Sequence, residues 1–222
     1  MVEQRTVASR GEAVSIVAIC FGWAILGSIG ALSGGSQVSG DSSASEFSDA
    51  SFVGLILTEV ICAGIALCIL QFRGYAVRTL FPTPTLSGCG YGLILYLAAY
   101  FVCILVTAPF AQTATHEPIQ EMLAHATVSM PMLVVVALIN ANFEEIFLLG
   151  YLVRGMNEHG TAIAIGVPLF VRVAYHLYQG PVGALSVLVF GLIVSIYYFR
   201  TQKLFPVVFA HVLADIVPFA IR

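Results

Sequence analysis

Seven runs of the chain, at about 13–33, 51–71, 89–109, 129–153, 160–178, 181–199 and 204–221, hold almost no charged side chains. Each has, or nearly has, the roughly 20 apolar residues that a helix needs to cross a bilayer. No other feature constrains the fold so tightly. A segment in hydrocarbon must satisfy its own backbone hydrogen bonds, which an isolated strand cannot do, so each run predicts a helix. Composition agrees: only 9% of residues are charged and 59% are hydrophobic, whereas a soluble domain is about a quarter charged. The expected fold is an all-α polytopic transmembrane bundle of about seven spans, with membrane lipid around it. The first run is longer than the apolar part of a signal peptide and further spans follow it, so it reads as a retained helix.

The basic residues orient this bundle. With the N-terminus in the cytoplasm, Arg5, Arg10, Arg73, Arg78, Arg154, Arg200 and Lys203 all fall on the cytoplasmic side. The opposite loops, 34–50 and 110–128, have no Lys or Arg and carry Asp41, Glu46, Asp49, Glu117 and Glu121. That asymmetry marks a cytoplasmic N-terminus in a multi-pass protein of a cell membrane. A net charge of -3 with no basic stripe argues against nucleic acid as a partner. The cysteines form no CxxC pair and read as small apolar packing residues.

Ionisable residues divide the chain near residue 128. Residues 1–128 supply three spans and one buried charge, Glu59, which reads as a packing or helix-pairing residue. Residues 129–222 supply four spans holding Glu144, Glu145, Arg172, His176, His211 and Asp215, with Asn140 beside them. Gly30 and Gly34 have the spacing of a close helix contact. Gly88, Gly90 and Gly92 look superficially like a nucleotide loop, but they open an apolar run with no strand before it.

An ionisable side chain at the centre of a membrane helix costs about 2.5–3.5 kcal/mol, so it persists where it faces a partner or a watered cavity. Spacing gives these residues a direction. Asn140 and Glu144, Arg172 and His176, and His211 and Asp215 are each four apart, so each pair shares a helix face. Three helices then carry one polar stripe apiece, and the simplest packing turns all three toward one interior site. Glu145, about 100° around the helix from Glu144, is expected to point elsewhere and to play a different part. Two chemistries suit the set. A glutamate beside a histidine can take a proton from water while neighbouring donors stabilise an oxyanion; alternatively, Glu, His and Asp ligate a divalent metal such as zinc. A proton- or ion-coupled transporter uses the same residue types, and a catalytically inactive scaffold is a further alternative. The HExxH helix of soluble zinc proteases is absent.

Residues 142–152, Asn-Phe-Glu-Glu-Ile-Phe-Leu-Leu-Gly-Tyr-Leu, resemble the first motif of the CPBP family, the CAAX protease and bacteriocin-processing (Abi) group that includes the type II CAAX prenyl proteases. Residues 172–180, Arg-Val-Ala-Tyr-His-Leu-Tyr-Gln-Gly, are similar to the second, which ends in a histidine, here His176. His211 and Asp215 match the third, His-x-x-x-Asn or Asp. The motifs occur in family order, each on its own run. The resemblance implies a catalytic core at 129–222 and an intramembrane endopeptidase for hydrophobic or lipidated peptides, in CAAX-type processing or bacteriocin self-immunity, in a bacterial inner or plasma membrane. It implies that Glu144 and His176 activate water, that His211 and Asp215 stabilise the oxyanion, and that Glu145 supports the site. If a metal is bound, Glu144, His176 and His211 would hold it; a metal-free mechanism is equally compatible.

Two departures stand out. Leu149 occupies the position of the first motif's usual Arg, and Arg172 that of a usual Phe before the second motif's His. A buried carboxylate pair without a cation is expensive, and Arg172 is the one basic residue inside the runs, so it is expected to supply the missing guanidinium, with Asn140 as a further support. Depth presents a tension. From cytoplasmic starts near 154 and 204, Glu144 and His211 lie about 10–15 Å deep, whereas His176 counted from 160 lies at about 24 Å; the motif nevertheless groups them.

Overall fold

The computed structural model describes residues 9–33, 47–110 and 118–220. Of the charged residues used to orient the chain, Arg5, Asp41, Glu46 and Glu117 lie outside them. The described chain is all-α, without a strand. It comprises α1 (Arg10–Ser33), α2 (Asp49–Phe72), α3 (Leu86–Thr107), the short α4 (Pro118–Ala124), α5 (Met130–Glu145), α6 (Thr161–His176), α7 (Gly180–Thr201) and α8 (Leu204–Ala220). Apart from α4, these fall within a few residues of the seven apolar runs. Five helical stretches are long and apolar enough to cross a membrane, the last of them, Thr161–Thr201, joining α6 to α7; α8 is apolar but shorter. The protein is thus a polytopic helical bundle.

Glycine makes the turns at both ends of α6. Gly160 (φ 93) starts it and Gly180 (φ 87) passes the chain to α7, in a region of φ that side-chain-bearing residues rarely adopt. The packing is interleaved: α1 lies on α6, α2 on α5, α3 on α7 and α8, and α5 on α8. Helices approach closely where glycine permits it. A Cβ on Gly92 would lie 2.6 Å from the Pro206 carbonyl oxygen, and one on Gly88 would lie 2.5 Å from the Phe205 ring. These two α3 glycines, and not Gly30, which has open space around it, are the small-residue contact. Gly34 lies outside the described residues.

The two ends of the bundle differ in charge. At one end Arg73 pairs with Glu12, and Arg154 donates to the hydroxyl of Thr79. At the other, the Asp49 carboxylate accepts from the Ser129 backbone N–H, and Phe47, Phe52 and Phe219 cluster. The cysteines of the described chain are free thiols.

Candidate active site

Helix α5 delivers the two carboxylates. The Ser129 hydroxyl caps its first turn by accepting from the Met132 N–H, with a proline in that turn. Apolar residues then carry the helix inward to Asn140 and Glu144. Directly after Glu145 the backbone widens into a π-helix, Ile146–Val153. Such segments are rare and concentrate at functional sites.

Arg172, from α6, lies between the carboxylates. Its Nη2 donates to both oxygens of Glu145, 2.8 Å each, and its Nη1 donates to Glu144 Oε2 at 3.3 Å. Glu145 is wholly buried, and Arg172 is only 2% exposed. Charges so deep in apolar surroundings must be paired or they would cost several kcal/mol each. Gly191 of α7 makes room for the arginine, since a Cβ there would meet Arg172 Cδ at 2.9 Å. The guanidinium also lies over the Phe190 ring, 5.9 Å from its centroid.

From α8, His211 completes the cluster. Its Nδ1 is 2.7 Å from Glu145 Oε1; a carboxylate only accepts, so Nδ1 carries the proton. Nε2 faces Asp215 Oδ1 at 3.6 Å and Glu144 Oε2 at 3.9 Å. The separation of Glu144 from Glu145 expected from helix geometry is therefore incomplete. The arginine fork and the imidazole each span the roughly 100° between the two carboxylates, so both acids share both partners.

His176 is placed differently. Helix α6 does begin at Thr161, and His176 is its last residue, one turn beyond Arg172. Its Nδ1 lies 2.9 Å from the Arg172 carbonyl oxygen, so Nδ1 is the donor and Nε2 the free acceptor. Among the described residues no hydrogen bond or ion pair joins His176 to Glu144 or His211. It connects to the cluster through its neighbour: the Tyr175 ring is 4.4 Å from the His176 ring, and the Tyr175 hydroxyl donates to Glu144 Oε2.

One residue and one link escaped the sequence reading. Tyr175 is buried and stacks on Phe21 of α1 at 5.2 Å; its position three residues after Arg172, on the same helix face, was the available signal. Glu59 of α2, expected to be a packing or helix-pairing residue, does pair α2 with α5, accepting from Asn140 Nδ2 at 2.6 Å, and the same nitrogen lies 3.3 Å from Glu144 Oε1. Nothing in the sequence pairs α2 with α5, so that link was not readable. One oxygen each of Glu59 and Asp215 is buried without a hydrogen-bond partner.

Glu144, Glu145 and His211 each offer a ligand atom, all within 4.8 Å of one another, and could hold a metal ion. The set has Glu145 where His176 was expected. Arg172 already bonds both oxygens of Glu145 and one of Glu144, so a divalent ion would compete with the guanidinium for the same lone pairs. The arrangement fits a metal poorly while Arg172 stays in place.

Two cavities bear on access to the site. One, of about 380 Å³, runs between α2 and α5 and is lined by Glu59, Val60, Leu67, Phe81, Leu138 and Phe147 among others. Val60 and Leu138 are about half exposed, so it opens on the bundle's apolar flank. The other, of about 620 Å³, lies at the basic end, with Arg154, Lys203, Tyr91 and Tyr198 in its wall. It contains no carboxylate or histidine, which excludes it as the reactive centre. Phe81 lines both.

Residues 126–217 match the family described as type II CAAX prenyl endopeptidase Rce1-like. No curated protein and no solved structure matches the chain.

Proposed function

We propose, from the match of residues 126–217 to the CAAX prenyl endopeptidase family, that the chain is a CAAX protease-like enzyme and hydrolyses peptide bonds inside the membrane with a glutamate-activated water. The observation that carries the reading is the buried constellation of Glu144, Glu145, Arg172 and His211 beside a groove open to the apolar flank. In this reading residues 129–222 are the catalytic core.

Glu144 is the base. It lies 3.9 Å from His211 Nε2, and Asn140, Arg172 and Tyr175 hold it by three donors. His176 joins from the end of α6, with Nε2 free to accept a hydrogen bond from the water and orient it; Glu144 takes the proton as the water oxygen bonds the scissile carbonyl carbon and passes it to the leaving amine nitrogen as the C–N bond breaks. His211 faces the developing oxyanion. With Nδ1–H committed to Glu145, it donates from Nε2 only as an imidazolium, whose charge Glu145 and Asp215 balance. Glu145 and Arg172 hold the geometry, and Arg172 stands in for the first-motif arginine that Leu149 replaces. No step requires a metal in this scheme; were one to displace Arg172, it would supply a Lewis acid for the scissile carbonyl.

The two cavities support an amphipathic substrate. A hydrophobic or lipidated segment suits the flank groove, and a polar end suits the basic cavity beyond Phe81. Bacteriocin self-immunity and processing of small membrane peptides both supply such substrates. The test is cleavage of membrane-peptide libraries by purified protein in lipid nanodiscs. Wild type should cleave, and Glu144→Ala and His211→Ala should each lose about 100-fold or more. If wild type cleaves nothing and the same substitutions abolish proton flux into liposomes, the cluster is a transport path instead.

A further inference from the structure

Glu59 belongs to the N-terminal helices, outside residues 126–217, yet among the described residues it is the carboxylate that both bonds into the reactive cluster and lines the groove. Its side chain is 2% exposed. Oε1 accepts the short bond from Asn140 that continues to Glu144 Oε1. Oε2 is buried and without a partner, in a residue that lines the groove between α2 and α5. A buried acceptor left unmade costs about 1–3 kcal/mol. Pairing α2 with α5 explains one oxygen only, and a glutamine would serve that purpose equally well.

We propose that Glu59 is a substrate-positioning and specificity-determining residue: when a peptide lies extended in the α2–α5 groove the carboxylate turns so that Oε2, enclosed in its absence, accepts a backbone N–H, while Oε1, through Asn140, holds Glu144 in place. This rests on the hydrolase reading above and adds what the groove receives. A purely hydrocarbon occupant would leave Oε2 unpaired. A peptide would solve two problems together, because its own N–H groups also lack water as a partner on an apolar flank. Extended backbone turns successive N–H groups to opposite edges, so only one N–H along the bound stretch meets Glu59. Because one side chain holds both contacts, correct seating of the substrate and alignment of Glu144 are linked.

The isosteric substitution Glu59→Gln separates the roles. The Gln oxygen still accepts from Asn140, but the unpartnered atom becomes an amide nitrogen, which donates. The probe is a fluorescein-labelled Leu/Ala dodecamer with its set of single N-methyl analogues, each lacking one N–H. Binding to nanodisc-embedded protein is read by anisotropy, which needs no turnover. Wild type should bind one N-methyl analogue about fivefold more weakly than the parent, as expected for one lost hydrogen bond. Glu59→Gln should bind the parent about fivefold more weakly and show no added loss for that analogue. In turnover of a cleaved peptide, Glu59→Gln should raise KM more than it lowers kcat, whereas Glu59→Leu, which also releases Asn140, should lower kcat as well. Equal parent affinity in wild type and Glu59→Gln, or the same N-methyl profile in both, overturns the proposal even if cleavage is intact. Conversely, full cleavage by Glu144→Gln would sink the hydrolase reading while leaving the binding result to stand.

Discussion

Among the described residues, two buried acid clusters are built on different terms. At the basic end Glu12 of α1 takes Arg73 on one oxygen, at 3.4 Å, and the Tyr151 hydroxyl on the other, at 3.1 Å. Arg73 is 57% exposed, so its charge remains largely in water. In the middle of the bundle Glu59, Glu144, Glu145 and Asp215 surround one guanidinium and one imidazole, and two carboxylate oxygens have no partner. The first arrangement matches one acid to its donors and fastens α1 to the region around α5. The second carries more acceptors than its donors can serve. A network built for stability alone would not keep that excess, since each unmade bond lowers stability. Surplus acceptors are what a site needs if substrate and water are to complete it.

Removing the central cation should have the largest effect on this contrast. Arg172→Leu leaves two carboxylates buried without it, and the loss should be about 3–5 kcal/mol, seen as a collapse of the thermal midpoint in detergent. Adding Leu149→Arg should restore part of it; a folded double variant with no recovery would refute the exchange of roles between the two positions. Gly191→Ala comes next. The new methyl forces Arg172 aside, and overpacking of this kind costs about 1–3 kcal/mol, with cleavage falling further than stability alone explains. Tyr175→Phe removes one donor to Glu144 and keeps the stack on Phe21. Cleavage should drop about tenfold with little change in midpoint; an unchanged rate would make Tyr175 a packing residue. The smallest effect belongs to the other cluster. Tyr151→Phe should cost about 1 kcal/mol and leave cleavage per folded molecule unaltered, and a large loss of activity there would erase the distinction between the two clusters.

The spans were legible because lipid imposes a composition that few other constraints could produce. Arg172 was legible for a related reason: a lone cation among apolar residues has few possible partners, and the nearest acids in kind were Glu144 and Glu145. What the sequence hid was contact between helices far apart in the chain. Glu59 and Asn140 are 81 positions apart, and no periodicity announces that α2 lies on α5. Tyr175 was hidden otherwise, as an aromatic residue in an apolar helix whose hydroxyl matters only once a carboxylate is seen across from it. His176 shows the limit of spacing arguments. It shares a face with Arg172, but it stands at the helix end, where its Nδ1 returns to the backbone.

The π-helix at Ile146–Val153 has a consequence for how α5 could have come to serve both clusters. A π turn differs from an α turn by one extra residue, so the segment behaves as a single-residue insertion carried inside the helix. Upstream of it, Glu144 and Glu145 keep one phase; within it, Tyr151 is carried to another and reaches Glu12. One rod thus holds two settings that a regular helix would lock together. Either cluster could then change its residues without turning the other out of alignment.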